Sequence, residues 1–204
     1  MAVAMDWGSV FTAISTIVVA WFGYNQYTKN KKTDAKIKQL EEEDKAKNKL
    51  RADNSMVIFG VLWDVLYEIG ADRVYIVQPH PLGHEEMLSI YYEVKCSGVQ
   101  GMKDRIQNMR ISEVGTFSSD MAQNSFMYIH NVESEVSNKY AQSLMASYGS
   151  ETIIIKRLAN NEYKWTGSIF CEFLESTDID TEVAKKVLSN AALRIQYILP
   201  EFQK

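Results

Sequence analysis

The sequence predicts an α+β domain in which a five-stranded antiparallel sheet packs on helices, preceded by one transmembrane helix and a charged helical stalk. Three observations support this prediction. An uncharged run of 17 residues lies near the N-terminus, and a stretch rich in lysine and glutamate follows it. Apolar residues recur at helix and strand spacings only from Ile58 onward. The predicted boundaries are therefore 1–28 for the anchor, 29–53 for the stalk and 54–204 for the soluble domain.

The N-terminal apolar run extends from Gly8 to Tyr24, which is near the shortest length that spans hydrocarbon as a helix. Trp7 lies at one end, and Trp21 and Tyr24 lie at the other, where amphipathic rings prefer the lipid headgroups. A cleaved signal peptide would have basic residues before the run, whereas Asp6 precedes it here. A buried core helix is the other alternative, but a core helix of a globular domain normally carries a polar stripe. We therefore predict a membrane anchor.

The predicted orientation follows from the lysines that come directly after the apolar run. Lys29, Lys31 and Lys32 begin this group. Because positively charged flanks stay in the cytoplasm, they predict a single pass through the bacterial inner membrane, with the N-terminus outside and the domain inside. The lipid bilayer is then the first predicted partner, with the lysines against anionic headgroups. Cys96 and Cys171 are predicted to be free thiols, as in a reducing compartment.

The stalk, Thr33 to Arg51, contains no glycine or proline and many strong helix formers. Its apolar residues are too sparse for a long coiled coil, which leaves a solvated helix with weak self-association. Small and hydroxylic residues in the apolar run, such as Ser15 and Thr16, allow close helix approach in a bilayer. We therefore predict a homo-oligomer formed through anchor and stalk. The apolar stalk residues are Ile37, Leu40 and Leu50.

The soluble domain begins with a helix that ends at Gly70. Five runs rich in β-branched and aromatic residues then predict strands. A helix with apolar residues at Val136, Tyr140 and Leu144 precedes the fourth strand. The apolar positions of the first helix are Ile58, Val61, Leu62, Val65, Leu66 and Ile69, and the strands are 73–80, 88–96, 126–132, 152–158 and 163–174.

The last helix is predicted to begin at a capping-box-like Thr177-x-x-Asp180 and to end before Pro200. Its predicted buried stripe is Val183, Val187, Ala191, Ile195 and Ile198. The resulting order of elements predicts an antiparallel sheet with its helices against one face.

A long stretch from Gly98 to Ser125 separates the second and third strands, and its glycine, serine and asparagine content predicts an irregular polar loop. Structureless loops of this length are uncommon inside compact domains and are often functional. We therefore predict that this stretch is the most mobile part of the domain and holds its binding site.

The domain resembles the GAF family, a sensory fold related to PAS, from Asn54 to about Leu199. The resemblance rests on the run 70–77 (GADRVYIV), on Tyr92-Glu93-Val94, on the helix before 152–155 (TIII), and on 172–175 (EFLE) leading into the last helix. It implies strand order 2-1-5-4-3 and a pocket between the sheet and the stretch after the second strand, taking a small molecule or a partner protein. The implied lining is Met102, Ile106, Met109, Phe117, Met121 and Phe126.

Two signatures of GAF subfamilies are missing from the sequence. It has neither the Asn-Lys-Xaa-Asp-Glu motif of cyclic-nucleotide GAF domains nor a Cys-His pair where a bilin would be attached. The resemblance therefore implies no cofactor.

Other chemistry finds little support in the residues. A net charge of −4 and an isoelectric point near 5.5 argue against nucleic acid as a partner. His80 and His84 flank a proline-containing turn, and two local histidines are too few for a structural metal site. The Ser118-Ser119-Asp120 run lacks an assignable base. We expect neither a metal site nor an enzyme.

Two functional hypotheses follow, with a purely structural role behind them. A short span, a charged stalk and a compact domain resemble small bacteriophage membrane proteins of the holin type, which implies a role in host lysis through self-association. The domain in the best-known protein of that design lies outside the cytoplasm, whereas the lysines here place it inside. The alternative is a membrane-tethered GAF-like sensor or scaffold that binds a small molecule or a partner protein.

Overall fold

A computed structural model of the protein describes residues 21, 26, 29, 31, 36–38, 40, 42, 45–46, 49–50, 52–81 and 86–199. The chain divides into two units, Met1–Leu50 and Arg51–Lys204. In the first unit every described residue is helical and exposed, including Ile37, Leu40 and Leu50. The described stalk positions are thus helical, and the solvated stalk as a whole stays a prediction.

The predicted anchor, 1–28, lies outside the described residues, apart from Trp21 and Gln26. This applies to Trp7, Tyr24 and Lys32, whereas Lys29 and Lys31 are described as exposed helical residues. Across the described part of the chain, no helix combines the length and the apolar character needed to cross a bilayer. The anchor and its orientation stay predictions.

The second unit is built on one antiparallel sheet of six strands. The first helix, α1, covers 52–69, and a 3₁₀ turn covers Ile111–Val114. The remaining elements are β1 (Arg73–His80), β2 (Met87–Lys95), β3 (Met109–Arg110), α2 (Gly115–Gln123), β4 (Phe126–Ile129), α3 (Val132–Glu135), α4 (Lys139–Ser147), β5 (Thr152–Ala159), β6 (Trp165–Phe173) and α5 (Thr181–Ile195). The order of the strands across the sheet is β3-β2-β1-β6-β5-β4. The five predicted strands occur in the order that the resemblance implies, and the two-residue β3 adds a sixth at the edge of β2.

Both faces of the sheet are covered, so the prediction of helices against one face is wrong. Seven of the eight residues of β1 are buried, which happens only when apolar groups pack on both sides of a strand. Val74 and Ile76 pack with α1 and α5, and we call this the α1/α5 side. Tyr75 and Val77 point to the opposite side, where they pack with residues of 102–121 and α4. We call this the cavity side.

The α1 prediction is confirmed, because five of its six predicted apolar residues are buried and Ile69 is half-buried. The prediction for α5 is confirmed at Ala191 and Ile195, which are buried, and Val187 and Ile198 are partly buried against the core, but it is wrong at the N-terminal end of the helix. Its N-cap is Asp180, whose Oδ1 accepts hydrogen bonds from the backbone N–H groups of Glu182 (2.8 Å) and Val183 (3.2 Å). Val183 is consequently half exposed. The stripe that packs inward consists mostly of alanine: Ala184, Leu188, Ala191, Ala192 and Ile195.

The stretch from Gly98 to Ser125 is not an irregular loop. It contains β3, the 3₁₀ turn and α2, and it buries several apolar side chains. Val114, Phe117 and Met121 recur three and four residues apart, so they share one face of the helical segment and pack inward. This apolar spacing outweighs the polar composition that predicted a loop.

Candidate functional site

An apolar cavity lies on the cavity side of the sheet. Its volume is about 20 Å³, which is room for little more than one water molecule. The sheet contributes Tyr75 and Phe170 to its lining, and α4 contributes Ala141 and Leu144. Four methionines complete much of the wall: Met102, Met109, Met121 and Met145. Because methionine is flexible and polarisable, such a wall can adapt its shape to an occupant.

Hydrogen bonds to β2 hold residues 102–108, which cover part of the cavity, in place. The Glu93 carboxylate accepts from the backbone N–H of Met102 at 2.5 Å, and the backbone N–H of Ile90 donates to the Ile106 carbonyl at 2.9 Å. The backbone N–H of Asn108 donates to the Ser89 hydroxyl at 2.8 Å. The stretch is thus attached at successive points along β2, and this positions Met102 and Ile106 over the sheet.

Five of the six residues predicted to line a pocket surround this cavity, namely Met102, Ile106, Met109, Phe117 and Met121. The sixth, Phe126, lies on the α1/α5 side, where the Lys185 ammonium is 5.7 Å from the centre of its ring. Alternation along β4 explains the difference, because Met127, the next residue, packs on the cavity side. Whether these residues bind a ligand stays a prediction.

The sequence analysis did not select the aromatic residues of the sheet that face the cavity. The rings of Tyr75 and Phe170 stack with centroids 5.0 Å apart and planes at 10°, and Phe117 lies 6.4 Å from Phe170. Strand alternation could have placed Tyr75 opposite Val74 and Ile76. The stacking of Tyr75 on Phe170 depends on the pairing of β1 with β6. Because these strands are distant in sequence, the sequence alone did not predict it.

A buried charge network lies next to Tyr75. Arg73 and Glu172 form an ion pair with both side chains almost fully buried, and Arg73 Nε donates to Glu172 Oε2 at 2.7 Å. The Ser150 hydroxyl donates to the same carboxylate oxygen at 2.9 Å and accepts from Arg73 Nη2 at 3.0 Å. Arg73 Nη1 donates to the carbonyl of Gln100, and the Tyr75 hydroxyl donates to Glu172 Oε1. The network is neutral overall and satisfies its charged groups, as buried ions require.

This environment fixes the protonation of Tyr75. Burial raises the pKa of its hydroxyl well above the ordinary value, and the adjacent Glu172 carboxylate raises it further. The phenol is therefore neutral, and its O–H is committed to Glu172. The cavity consequently presents uncharged, mostly apolar groups, which favours an uncharged and apolar occupant.

The other residues considered for chemistry have structural contacts. His80 Nε2 lies 2.9 Å from the Ser89 hydroxyl, and burial lowers the pKa of the imidazole. Burial raises the pKa of the Cys171 thiol, and the half-buried Cys96 Sγ lies 3.7 Å from the Ala71 carbonyl oxygen. The Ser118 hydroxyl donates to the Gly115 carbonyl at 2.9 Å.

His84 lies outside the described residues. Among those that are described, no group of three or more histidine, cysteine, aspartate or glutamate side chains could hold a metal ion.

No protein-family model matches the chain, and no curated protein matches it in sequence. Solved structures do match. GAF3 of Slr1393 from Synechocystis sp. PCC6803 in its photoproduct state is 10% identical, with a TM-score of 0.59 over 70% of this chain and 90% of that domain. A far-red cyanobacteriochrome photoreceptor is 13% identical, with a TM-score of 0.56 over 78% and 94%. The blue-light absorbing form of the Thermosynechococcus elongatus PixJ GAF domain is 7% identical, with a TM-score of 0.57 over 71% and 86%.

These similarities show that the second unit has a GAF-like fold. At such low identity they show the fold alone, because unrelated functions share common folds.

Proposed function

We propose that this chain is a sensor whose GAF-like domain binds a small, uncharged, apolar molecule between the sheet and the segment 98–123. The observation that carries the proposal is the apolar cavity at this position, walled by flexible methionines and closed by a segment attached to β2. The similarity to photoreceptor GAF domains supports a sensory role. A covalently attached bilin is not part of the proposal, because the sequence lacks the Cys-His pair.

The cavity is small, so the proposal requires a rearrangement of its lining before a ligand can enter. At about 20 Å³ the cavity is smaller than a benzene molecule. An occupant therefore enters only when the methionine side chains or the segment 98–123 rearrange. The chain offers many routes to such a change, because methionine has three rotatable bonds and little steric preference. We expect weak binding of small aromatic molecules and tighter binding of a ligand that fits the opened cavity.

Strand β1 gives an occupied cavity a physical route to the rest of the domain. Tyr75 and Val77 contact the cavity side, whereas Val74 and Ile76 pack against α1 and α5. A shift of β1 on ligand binding therefore changes the packing of both terminal helices of the domain. We propose that this is how occupancy is relayed.

Thermal unfolding of the full chain with benzene and indole as probes tests the proposal. A probe at ten times its dissociation constant stabilises the folded state by about 1.4 kcal/mol, a shift of a few degrees in Tm. Ala141→Leu fills the cavity and should abolish the shift. Ala192→Leu is the matched control, since it adds the same volume to the core on the α1/α5 side. Equal shifts in both variants would contradict binding in the cavity.

We further propose that the sensor is not an enzyme and is tethered to the cytoplasmic face of the bacterial inner membrane. The proposed tether and its orientation rest on the apolar run 8–24 and on Lys29, Lys31 and Lys32. Protease treatment of spheroplasts tests it, and cleavage of the domain by external protease would refute the orientation. The holin-type hypothesis depends on the same apolar run and stays a hypothesis from sequence. Depolarisation of the membrane of cells on induced expression would support the holin-type hypothesis.

A further inference from the structure

Residues 99–103 begin the cover of the cavity, and we call them the latch segment. Met102 is their one buried side chain, and it lines the cavity, whereas its neighbours are exposed or half-buried. The Glu93 carboxylate holds the backbone here, because it accepts from the N–H groups of Met102 at 2.5 Å and of Lys103 at 3.2 Å. A stretch with few buried apolar contacts and partly exposed hydrogen bonds is the kind that opens locally.

Two other charged side chains of the sheet also hold the latch segment. The Lys95 ammonium donates to the Val99 carbonyl, and Arg73 Nη1 donates to the Gln100 carbonyl. Charged groups make stronger hydrogen bonds than neutral ones, so these contacts keep closed a stretch that has little apolar burial of its own. Loss of one charge should therefore loosen the latch segment more than loss of a neutral contact.

The residues that follow, 106–111, are attached to the sheet through their backbone. The backbone N–H of Ile90 donates to the Ile106 carbonyl at 2.9 Å, and Met109 pairs with Leu88 as part of the sheet. Ile106 is also buried. These attachments do not depend on the charged side chains, so they remain when the latch segment is released. Residues 106–111 therefore form a hinge, and the latch segment is the end that moves.

Gly101 supplies an independent observation. A Cβ on this residue would lie 2.6 Å from Glu93 Oε2, which is closer than real contacts allow. Only movement of the carboxylate would relieve this contact, and that movement would break its hydrogen bonds to Met102 and Lys103. Glycine thus stands at a position where any side chain would release the latch segment.

We propose that the latch segment is the entrance to the cavity and that Glu93 controls its opening. The proposal rests on the proposed function, since it concerns how a ligand reaches the cavity. The backbone N–H of Ile106 donates to the Met102 carbonyl at 3.0 Å, so residues 102–106 form one turn that moves as a unit. When this turn swings out, Met102 leaves the wall of a cavity that is otherwise too small for an organic ligand.

A chain of hydrogen bonds joins the latch segment to the opposite wall of the cavity. Tyr75 lines the cavity and donates to Glu172, which also accepts from Arg73. Arg73 in turn donates to the Gln100 carbonyl. A ligand that displaces the Tyr75 hydroxyl therefore alters the hold of Arg73 on the latch segment. Occupancy of the cavity and opening of its entrance are coupled through this chain.

Hydrogen exchange of the full chain without any ligand tests the opening. Glu93→Gln keeps the size of the side chain but removes its charge and one of its two acceptor oxygens. The amides of 102–106 should exchange roughly tenfold faster, the factor that corresponds to one hydrogen bond to a charged group. Gly101→Ala should act in the same way, because its Cβ displaces the carboxylate. Glu113→Gln is the charge control, since Glu113 is exposed in the same covering segment, and it should leave the exchange unchanged.

Asp180→Ala separates local opening from a general loss of stability. It removes the N-cap of α5 and should speed the exchange of amides in β6, which opens with the whole domain. The amides of 102–106 should keep their wild-type rate, because their opening does not involve α5. Acceleration of 102–106 by Asp180→Ala to the same extent as β6 would overturn the proposal. So would unchanged exchange of 102–106 in Glu93→Gln.

The rate at which indole enters tests the entrance itself. The association rate scales with the fraction of open molecules, so Glu93→Gln should raise it roughly tenfold in NMR line shapes of the methionine methyl groups. Glu113→Gln should leave it unchanged. Indole binding at the wild-type rate in Glu93→Gln would overturn the entrance but not the sensor proposal. Absence of indole binding in wild type and both variants would refute the sensor proposal, and the entrance with it.

Discussion

Substitution of Glu172 by glutamine tests the buried charge network most sharply. The side chain keeps its size, but its amide has one acceptor oxygen, so it can still accept from Tyr75 or from Ser150 and not from both. It loses its charge, however, and leaves the Arg73 guanidinium buried without a counter-ion. Removing one partner of a buried ion pair costs about 3–5 kcal/mol. For a domain of this size that is a fall of roughly 10 °C in Tm.

Urea unfolding of the full chain measures this loss. The midpoint should fall while the slope with denaturant stays unchanged, because the same surface is exposed on unfolding. Glu162→Gln is the matched control. Its partner Lys164 lies at 2.7 Å, but both side chains are about two-thirds exposed, so we expect no measurable change in the urea midpoint.

A double-mutant cycle shows whether the cost comes from the unpaired charge. Arg73→Met added to Glu172→Gln removes the isolated guanidinium, so the second substitution should cost little or nothing further. The coupling free energy between the two sites should then be at least about 2 kcal/mol. Additive costs, or a loss below about 1 kcal/mol for Glu172→Gln alone, would refute the reasoning.

Three further predictions concern the cavity, the pH dependence and a helix cap. Leu144→Ala should enlarge the cavity and cost about 2–5 kcal/mol, and saturating benzene should raise the Tm of this variant more than that of wild type. The unfolded chain loses the Tyr75 proton near pH 10, whereas the folded protein keeps it because the folded pKa is raised. Stability is thus full below pH 10 and falls above it, and urea titrations at pH 8–11 should show a smaller fall for Tyr75→Phe. Asp180→Ala should cost about 1 kcal/mol in urea unfolding because it removes the N-cap of α5, whereas Thr177→Ala should cost less than about 0.5 kcal/mol.

Periodicity in the sequence was sufficient for the parts of the fold in which apolar residues are large and regularly spaced. The strand order followed from the resemblance, and five of the six apolar positions of α1 are buried as predicted. In α5 the inward stripe is mostly alanine, which apolar spacing of larger residues does not reveal. The register was therefore misjudged at its N-terminal end.

The candidate site was predictable in part for a related reason. The apolar side chains of residues 102–121 were sufficient to predict most of the cavity lining. The polar residues between them led to the prediction of a loop where α2 lies. The Arg73–Glu172 pair was not predictable, because the residues are 99 positions apart and a charged residue in a strand usually faces solvent. Only the sheet register, which places Arg73 opposite Glu172, brings them together.

Methyl NMR of the full chain labelled at its nine methionines tests the central claim, binding in the cavity, most directly. Titration with indole should shift the methyl resonances of Met102, Met109, Met121 and Met145, whose side chains line the cavity. Met56 is the internal control, because it is exposed on α1 and would respond to unspecific binding at the surface. The account predicts saturable shifts at the four cavity methionines with Met56 unchanged. Unchanged cavity resonances, or equal shifts at Met56, would contradict it.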